Sequence, residues 1–409
     1  MRCCRNRQER PGQKGMGAAL NRIIESNLAE IVALRHEFHQ HPETRFKETW
    51  TSERLSSVLK EWGIPHTCGL ARGTGIVASI DGKPGKTIAL RTDIDGLEID
   101  EATSLPYASR IPNRMHACGH DGHMATVLGA ARVLLEFRGS LHGSVRLLFQ
   151  PGEEQGGGAR HMIADGALDG VDAIFGLHGW PQLEAGKLAI KSGPMMASAD
   201  FFRIHVQGKG CHGADPASAI DPVLVAAHIT TSLQTIVSRE IDPRKPAVVT
   251  IAHIDAGTTT NIIPDTALLE GTIRSFDGET DALLRESIER IACNTAQAFR
   301  ASASVAFGEK PYPALINDEA MTRLLLDSAL TTLGNGNVVV LTEPQMVAED
   351  FACYLEKVPG AFFFLGVANE PNQPYPPLHS AYYDFNDKAV PAGIAVMAEL
   401  ALRFLSDKR

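Results

Sequence analysis

Short apolar runs alternate with longer stretches of helical spacing through most of this chain, and that alternation confines it to an α/β fold. Ile24, Leu28, Ile31, Leu34 and Phe38 recur at helical spacing, which predicts an amphipathic helix over about residues 21–40, closed by Pro42. A second helix is expected over 49–62, stopped by Gly63 and Pro65. Apolar runs follow at 75–80, 87–91, 144–149 and 173–177, with a helix over 124–137 among them. The turn signal DGKPG between the first two runs predicts a hairpin. Strands that alternate with helices imply a mostly parallel sheet.

The pattern changes near Gly193. Over 200–207, Phe202, Ile204 and Val206 alternate with Arg203, His205 and Gln207, the period of a half-exposed strand. A helix (217–239), two strands (247–254 and 267–276), a helix (280–300) and a strand (302–307) complete a β-α-β-β-α-β order, the split βαβ pattern of a small α+β domain. At 409 residues two domains are expected. Residues 18–195 and 309–409 are therefore assigned to one α/β domain, interrupted by a smaller α+β domain over 196–308. The returning segment carries a helix near 318–333, strands near 338–341 and 361–366, and a C-terminal helix over about 390–405.

Composition excludes several functions. A formal net charge of −9 sets nucleic acid aside, because phosphate recognition needs a basic surface. Seven cysteines, odd in number and irregularly spaced, make no disulfide framework and fit a reducing, cytoplasmic setting. No apolar run approaches the ~18–20 residues of a membrane span, so no membrane association is expected. Residues 1–17 are rich in arginine and nearly devoid of apolar side chains. They read as a disordered tail with Met16 as the functional start, although an Arg-rich, acid-poor segment also matches a transit peptide.

The chemistry concentrates in two stretches. HACGHDGH, from His116 to His123, packs three histidines, a cysteine and an aspartate around two glycines. Imidazole, thiolate and carboxylate are ligands of divalent transition metals. QPGEE, ending in Glu153 and Glu154, follows a predicted strand, and His178 in GLHGWP ends another. In an open α/β sheet such strand ends form the binding edge. Cys118, His120, Glu153, Glu154 and His178 are thus expected at one edge, with His379 in PPLHS as a further candidate. His116, His123 and His161 are expected to support loops rather than bind metal, and Asp93 and Asp95 to hold the neighbouring loop. The adjacent glutamates suit hydrolysis: one carboxylate holds an ion, while the other takes a proton from metal-activated water and passes it to the leaving nitrogen. Were two ions ~3.5–4 Å apart, the Cys118 thiolate could bridge them. The chain has no GxxxxGK[ST], no GxSxG and no HExxH.

HACGHDGHMA, QPGEE, GLHGWP, GKGCHGADP, NIIPDTA, GTIRSF, AEDFACYLEKVPGAFFFLG and PPLHS occur in this order, preceded by FHQHPETRF. In these motifs the chain resembles the M20 metallopeptidase superfamily, specifically the aminoacylase-like amidohydrolases that include hippurate hydrolases and plant indole-acetyl-amino-acid hydrolases. The resemblance implies a catalytic domain interrupted by a satellite that usually mediates assembly into a homodimer or higher homo-oligomer. It implies two divalent ions (zinc, manganese, cobalt or nickel) on Cys118, His120, Glu154, His178 and His379, with Glu153 as general base and acid. It also implies that His212 stabilises the tetrahedral intermediate, often from the partner subunit, and that Asn261 and Arg274 bind the substrate carboxylate. The implied reaction is hydrolysis of an N-acyl or N-aroyl amino acid. A dipeptidase, an acyl-diaminopimelate deacetylase and a non-catalytic metal-binding sensor are the other readings. Cys211 departs from the pattern, since a small residue usually precedes this histidine.

Overall fold

The computed structural model describes residues 13–309, 311–369 and 374–406. The expected tail lies largely outside them, and from Gln13 the chain is already helical. The fold divides into two compact units. One comprises the chain up to Gly193, Asn317–Thr342 and Cys353–Arg409; the other comprises Pro194–Ile316 and Glu343–Ala352. The expected boundary put all of 309–409 in the first. Pro311–Ile316 and Glu343–Ala352 instead lie with the second, where the Ala197 N–H donates to the Gln345 and Val347 carbonyls.

The first unit opens with α1 (Gln13–Gln40), α2 (Thr49–Glu61), β1 (His66–Leu70), β2 (Gly75–Asp81) and β3 (Lys83–Asp93). It continues through α3 (His120–Glu136), β4 (His142–Gln150), the short α4 (Glu153–Gly156), α5 (Gly158–Ala164), β5 (Ala173–Glu184) and β6 (Leu188–Ile190). The second unit runs through β7 (Gly193–Met196), β8 (Asp200–Gln207), β9 (Cys211–His212), α6 (Pro222–Thr235) and β10 (Val248–Asp255). It goes on through β11 (Ile262–Ile263), β12 (Thr266–Arg274), α7 (Gly278–Ala298), β13 (Ser302–Phe307) and β14 (Leu315–Asn317). The chain then adds α8 (Glu319–Leu333), β15 (Val338–Val340), α9 (Ala352–Leu355), β16 (Gly360–Ala368) and α10 (Val390–Ser406).

The first unit is built on an eight-stranded sheet in the order β1-β2-β4-β3-β5-β16-β6-β15. Its central strands β4, β3, β5 and β16 are parallel, as expected. Strand β16 is buried at every residue, which is why Ala361–Leu365 reads as a continuous apolar run rather than an alternating one. The expected hairpin is not formed. Strand β4 lies between β2 and β3, antiparallel to the first and parallel to the second. The DGKPG link passes over the start of β4 so closely that a Cβ on Gly82 would sit 2.5 Å from the Leu141 carbonyl oxygen. Its turn chemistry serves this approach, which local spacing cannot distinguish from a hairpin turn. Helix α10, with the turn before it (Asp387–Ser406), is long and apolar enough to cross a membrane by length and composition alone. In the fold 78% of that window is buried inside the protein, and Ile394, Val396, Met397 and Leu400 belong to the core of the first unit.

The second unit is a four-stranded antiparallel sheet, β10-β12-β8-β13, with α6 and α7 on one face. The residues of β8 alternate buried and exposed throughout, so Phe202, Ile204 and Val206 enter a core with Ile229, Leu233, Leu284 and Ile288.

Candidate active site

Several carboxyl ends of the parallel strands deliver the polar residues of the first unit. Strand β3 ends in Thr92 and Asp93, and Asp95 follows. Gly119 precedes α3 with φ of 87°, in the left-handed region, and so turns the chain between Cys118 and His120. Strand β4 leads through Gly152 into Glu153 and Glu154. On β5, His178 lies two residues beyond Gly176, the last partner of β3. His379 is anchored by its own N–H, which donates to the Ala117 carbonyl at 2.9 Å.

These residues converge. The Cys118 Sγ lies 3.2 Å from His178 Nε2 and 3.3 Å from His379 Nε2. The Glu154 Oε1 is 3.2 Å from His379 Nε2 and 4.0 Å from His120 Nε2. Three donor groups within 4.8 Å share members: Cys118, His120 and His178; Cys118, Glu154 and His379; and His120, Glu153 and Glu154. The structure thus brings together the six first-unit residues singled out from the sequence. Cys118 stands between two imidazoles from distant segments.

The outer contacts set which nitrogens face inward. His178 Nδ1 lies 2.8 Å from the Gly179 carbonyl, to which only an N–H can donate, so its Nε2 presents a lone pair to Cys118. His120 Nδ1 faces Asp95 Oδ1 at 3.3 Å, which turns its Nε2 toward Glu154. His123 accepts the Gly179 N–H on Nε2 at 2.8 Å, so its Nδ1 carries the proton bonded to Asp93 Oδ1 at 2.7 Å. Both its nitrogens are used, consistent with a supporting role. His116 is fully buried with no hydrogen bond on either nitrogen, and burial pushes it down to about 3, so it stays neutral.

The electrostatics fit a cation. The His178 Nε2 lone pair, the His120 Nε2, the Cys118 sulfur and the Glu154 carboxylate face one another. Burial, then Glu154 and Glu153, push the Cys118 thiol well up. Burial opposes protonation of His120, but Asp93 and Asp95 outweigh it and raise it to about 10. The cluster therefore holds protons where a divalent ion would satisfy the same charge.

Behind the cluster lies a buried ion network. Arg35 Nη1 donates to Asp121 at 3.1 Å, to Asp384 at 2.9 Å and to the Phe385 carbonyl at 2.7 Å. It joins α1, the start of α3 and the loop that carries His379. His39 Nδ1 bonds Asp121 at 2.9 Å. Burial opposes the charge on His39, but Asp121 outweighs it and raises the imidazole to about 9. Because this folded value lies above the ordinary 6.5, the stability it contributes is present below about pH 6.5 and is lost as pH rises through about 9. His39→Gln should remove a pH-dependent component on the order of 3 kcal/mol from urea-unfolding curves over that window. Parallel wild-type and variant curves from pH 6 to 9.5 would sink this assignment.

The satellite candidates lie in the second unit. His212 on β9 pairs with Ile262 on β11, and the Gly213 N–H donates to the Asn261 carbonyl at 2.8 Å, so His212 and Asn261 share one exposed ribbon. His212 Nδ1 accepts the Ala214 N–H at 3.1 Å, which leaves Nε2–H as an outward donor. Arg274 is elsewhere. It is half-buried, it donates to the Ile273 carbonyl at 2.9 Å, and burial lowers its pKa. The ribbon follows the Gln207–Thr266 end of the sheet, whereas Arg274 closes β12 at the Asp200 end, roughly 25 Å of strand away. The structure therefore does not bring Asn261 and Arg274 together within one chain.

Glu48 and the Arg35–His39–Asp121 network escaped the sequence reading. FHQHPETRF, noted as a motif, was the available signal for His39 and the segment leading to Glu48.

A parallel sheet whose carboxyl edge gathers a thiol, imidazoles and paired carboxylates has the architecture of a metal-dependent hydrolase. The profile of peptidase family M20/M25/M40 matches residues 89–403, and the chain belongs to that family, as an enzyme acting on amide bonds. It is 42% identical over 348 residues to N-acetyl-L-cysteine deacetylase of Bacillus subtilis, covering 85% of this chain and 82% of that one. It is 39% identical over 377 residues to thermostable carboxypeptidase 1 of Saccharolobus solfataricus, covering 91% and 95%. The crystal structure of the Bacillus subtilis YXEP protein, a dinuclear metal-binding peptidase of family M20, superposes with a TM-score of 0.81 at 36% identity, covering 93% of this chain and 99% of that one.

Proposed function

We propose that this enzyme hydrolyses the amide bond of N-acyl or N-aroyl amino acids, releasing a carboxylate and a free amino acid. The observation that carries the reading is Glu153, nearly buried, beside a set of convergent donors. Cys118, His120, Glu154, His178 and His379 would hold two divalent ions, for which zinc, manganese, cobalt and nickel all suit mixed N, O and S donors. When bound, the ions supply Lewis acidity at the scissile carbonyl and favour ionisation of water. Glu153 takes one proton from the attacking water and delivers it to the leaving nitrogen as the C–N bond breaks. The outward Nε2–H of His212 suits the developing oxyanion, and the planar fork of Arg274 suits a carboxylate. The free cysteines Cys68, Cys118, Cys211, Cys293 and Cys353 favour a cytoplasmic setting.

A panel of hippurate, N-acetyl amino acids and dipeptides, assayed on apo-enzyme reloaded with each metal, tests the substrate class. Dipeptides cleaved with every acyl amino acid inert would replace this reading with a peptidase, as similarity to a carboxypeptidase allows.

The separation of Asn261 from Arg274 favours a homodimer in which His212 and Asn261 serve the partner's site. Equimolar mixing of Glu153→Gln and His212→Ala chains, each inactive alone, should then restore about a quarter of wild-type activity through heterodimers with one complete site. No recovery after proven subunit exchange would place His212 in its own chain's site.

A further inference from the structure

The four-residue helix that carries Glu153 and Glu154 cannot hold itself, because so short a helix leaves its first N–H groups without internal partners. It is flanked by Gly152 and Gly157, both with left-handed backbone, at φ of 65° and 61°. Its entry N–H groups are divided between two buried carboxylates. Asp95 accepts from Glu153 N and Glu154 N, both at 3.1 Å, and Glu48 Oε1 accepts from Gly152 N at 3.0 Å.

The segment around Glu48 touches the rest of the same turn. Arg45 donates to the Gln155 carbonyl at 3.1 Å and to its side-chain oxygen at 3.0 Å. The Phe46 ring lies against both glycine faces: a Cβ would come within 3.0 Å of it at Gly152 and 2.5 Å at Gly156. Phe46 itself has φ of 55°, a backbone state that a bulky side chain rarely adopts. The segment is fixed in turn by Glu43, whose backbone carbonyl accepts the Gly96 N–H at 2.7 Å and whose carboxylate accepts the Thr51 N–H at 2.9 Å. Thr74 donates to Glu48 Oε2 at 2.9 Å.

We propose that Glu48 and Phe46 are positioning residues, forming a clamp that fixes the Glu153–Glu154 turn in its reactive geometry. The proposal rests on the reading of Glu153 as the proton carrier. Glu48→Ala should lower kcat about tenfold or more while KM moves less than about threefold, because misplacing a reacting group costs rate rather than substrate binding. Amide hydrogen exchange over Gly152–Gly157 should quicken in the same variant. Glu48→Gln should restore both, since its side-chain carbonyl still accepts from Gly152 and its amide can donate to the Thr74 hydroxyl. Phe46→Leu, which stays apolar but loses the ring, should reproduce the faster exchange if Glu48→Ala does not fold. Wild-type kcat and exchange in Glu48→Ala, or a Glu48→Gln variant as impaired as Glu48→Ala, would overturn the clamp. Full turnover in Glu153→Gln would instead overturn the proton-carrier assignment, and the exchange rates would still decide the clamp.

Discussion

Glu153→Gln is expected to abolish turnover while leaving metal binding near normal. Glutamine keeps the size of the side chain but cannot take a proton, and general acid–base catalysis of this kind contributes about 10²–10⁴ in rate. Glu153 is 6% exposed, so bulk water has little access to replace it. Glu154→Gln should behave in the opposite order. Glu154 lies 3.2 Å from His379 and in one donor group with Cys118, so its loss should weaken metal uptake first and activity as a consequence. Elemental analysis together with kcat separates the two. A Glu153→Gln enzyme within about tenfold of wild type would mean that another group carries the proton.

Arg35→Ala is expected to cost about 3–5 kcal/mol of folding stability, the range for breaking a buried ion pair on one side. Arg35 is buried, and it is held by Asp121, Asp384 and Asp387. Its removal leaves the buried carboxylate of Asp121 with His39 as its remaining charged hydrogen-bond partner. Because Arg35 also grips the Phe385 carbonyl, the variant should loosen the loop that presents His379 and weaken metal retention. Adding Asp121→Asn should recover part of the loss, since the unpaired charge is then gone. Urea unfolding of the two single variants and the double variant measures this coupling. A loss below about 1 kcal/mol, the scale of a surface pair, would show that the network relaxes around the gap.

Much of the donor set was legible because its members fall at strand ends, and strand ends are readable from apolar runs. Cys118, His120, Glu153, Glu154 and His178 all follow such runs or precede a helix. The roles of the neighbouring histidines were less so. His120 and His123 are three residues apart in one motif, yet only the contacts of Gly179 and Asp93 show that both nitrogens of His123 are used. Glu48 lies just beyond the FHQHPETRF motif, yet no local pattern gave its role, because the N–H it accepts is 104 residues away. Arg35 and Asp384 are separated by 349 residues. The false hairpin has the same origin: a turn motif reports that the chain reverses, not whether another strand inserts between its arms.

The sequence by itself determined the element types, the interruption of one α/β unit by a split βαβ unit, and the ligand-type residues at one sheet edge. These follow from the periodicity of apolar residues and the chemistry of single side chains, both local properties. Only the tertiary structure decided the strand order, the inward-facing nitrogens of His120 and His178, the carboxylates that hold the Glu153 turn, and the separation of Asn261 from Arg274. Each of these depends on hydrogen bonds and packing between segments far apart in the chain, which local pattern cannot encode.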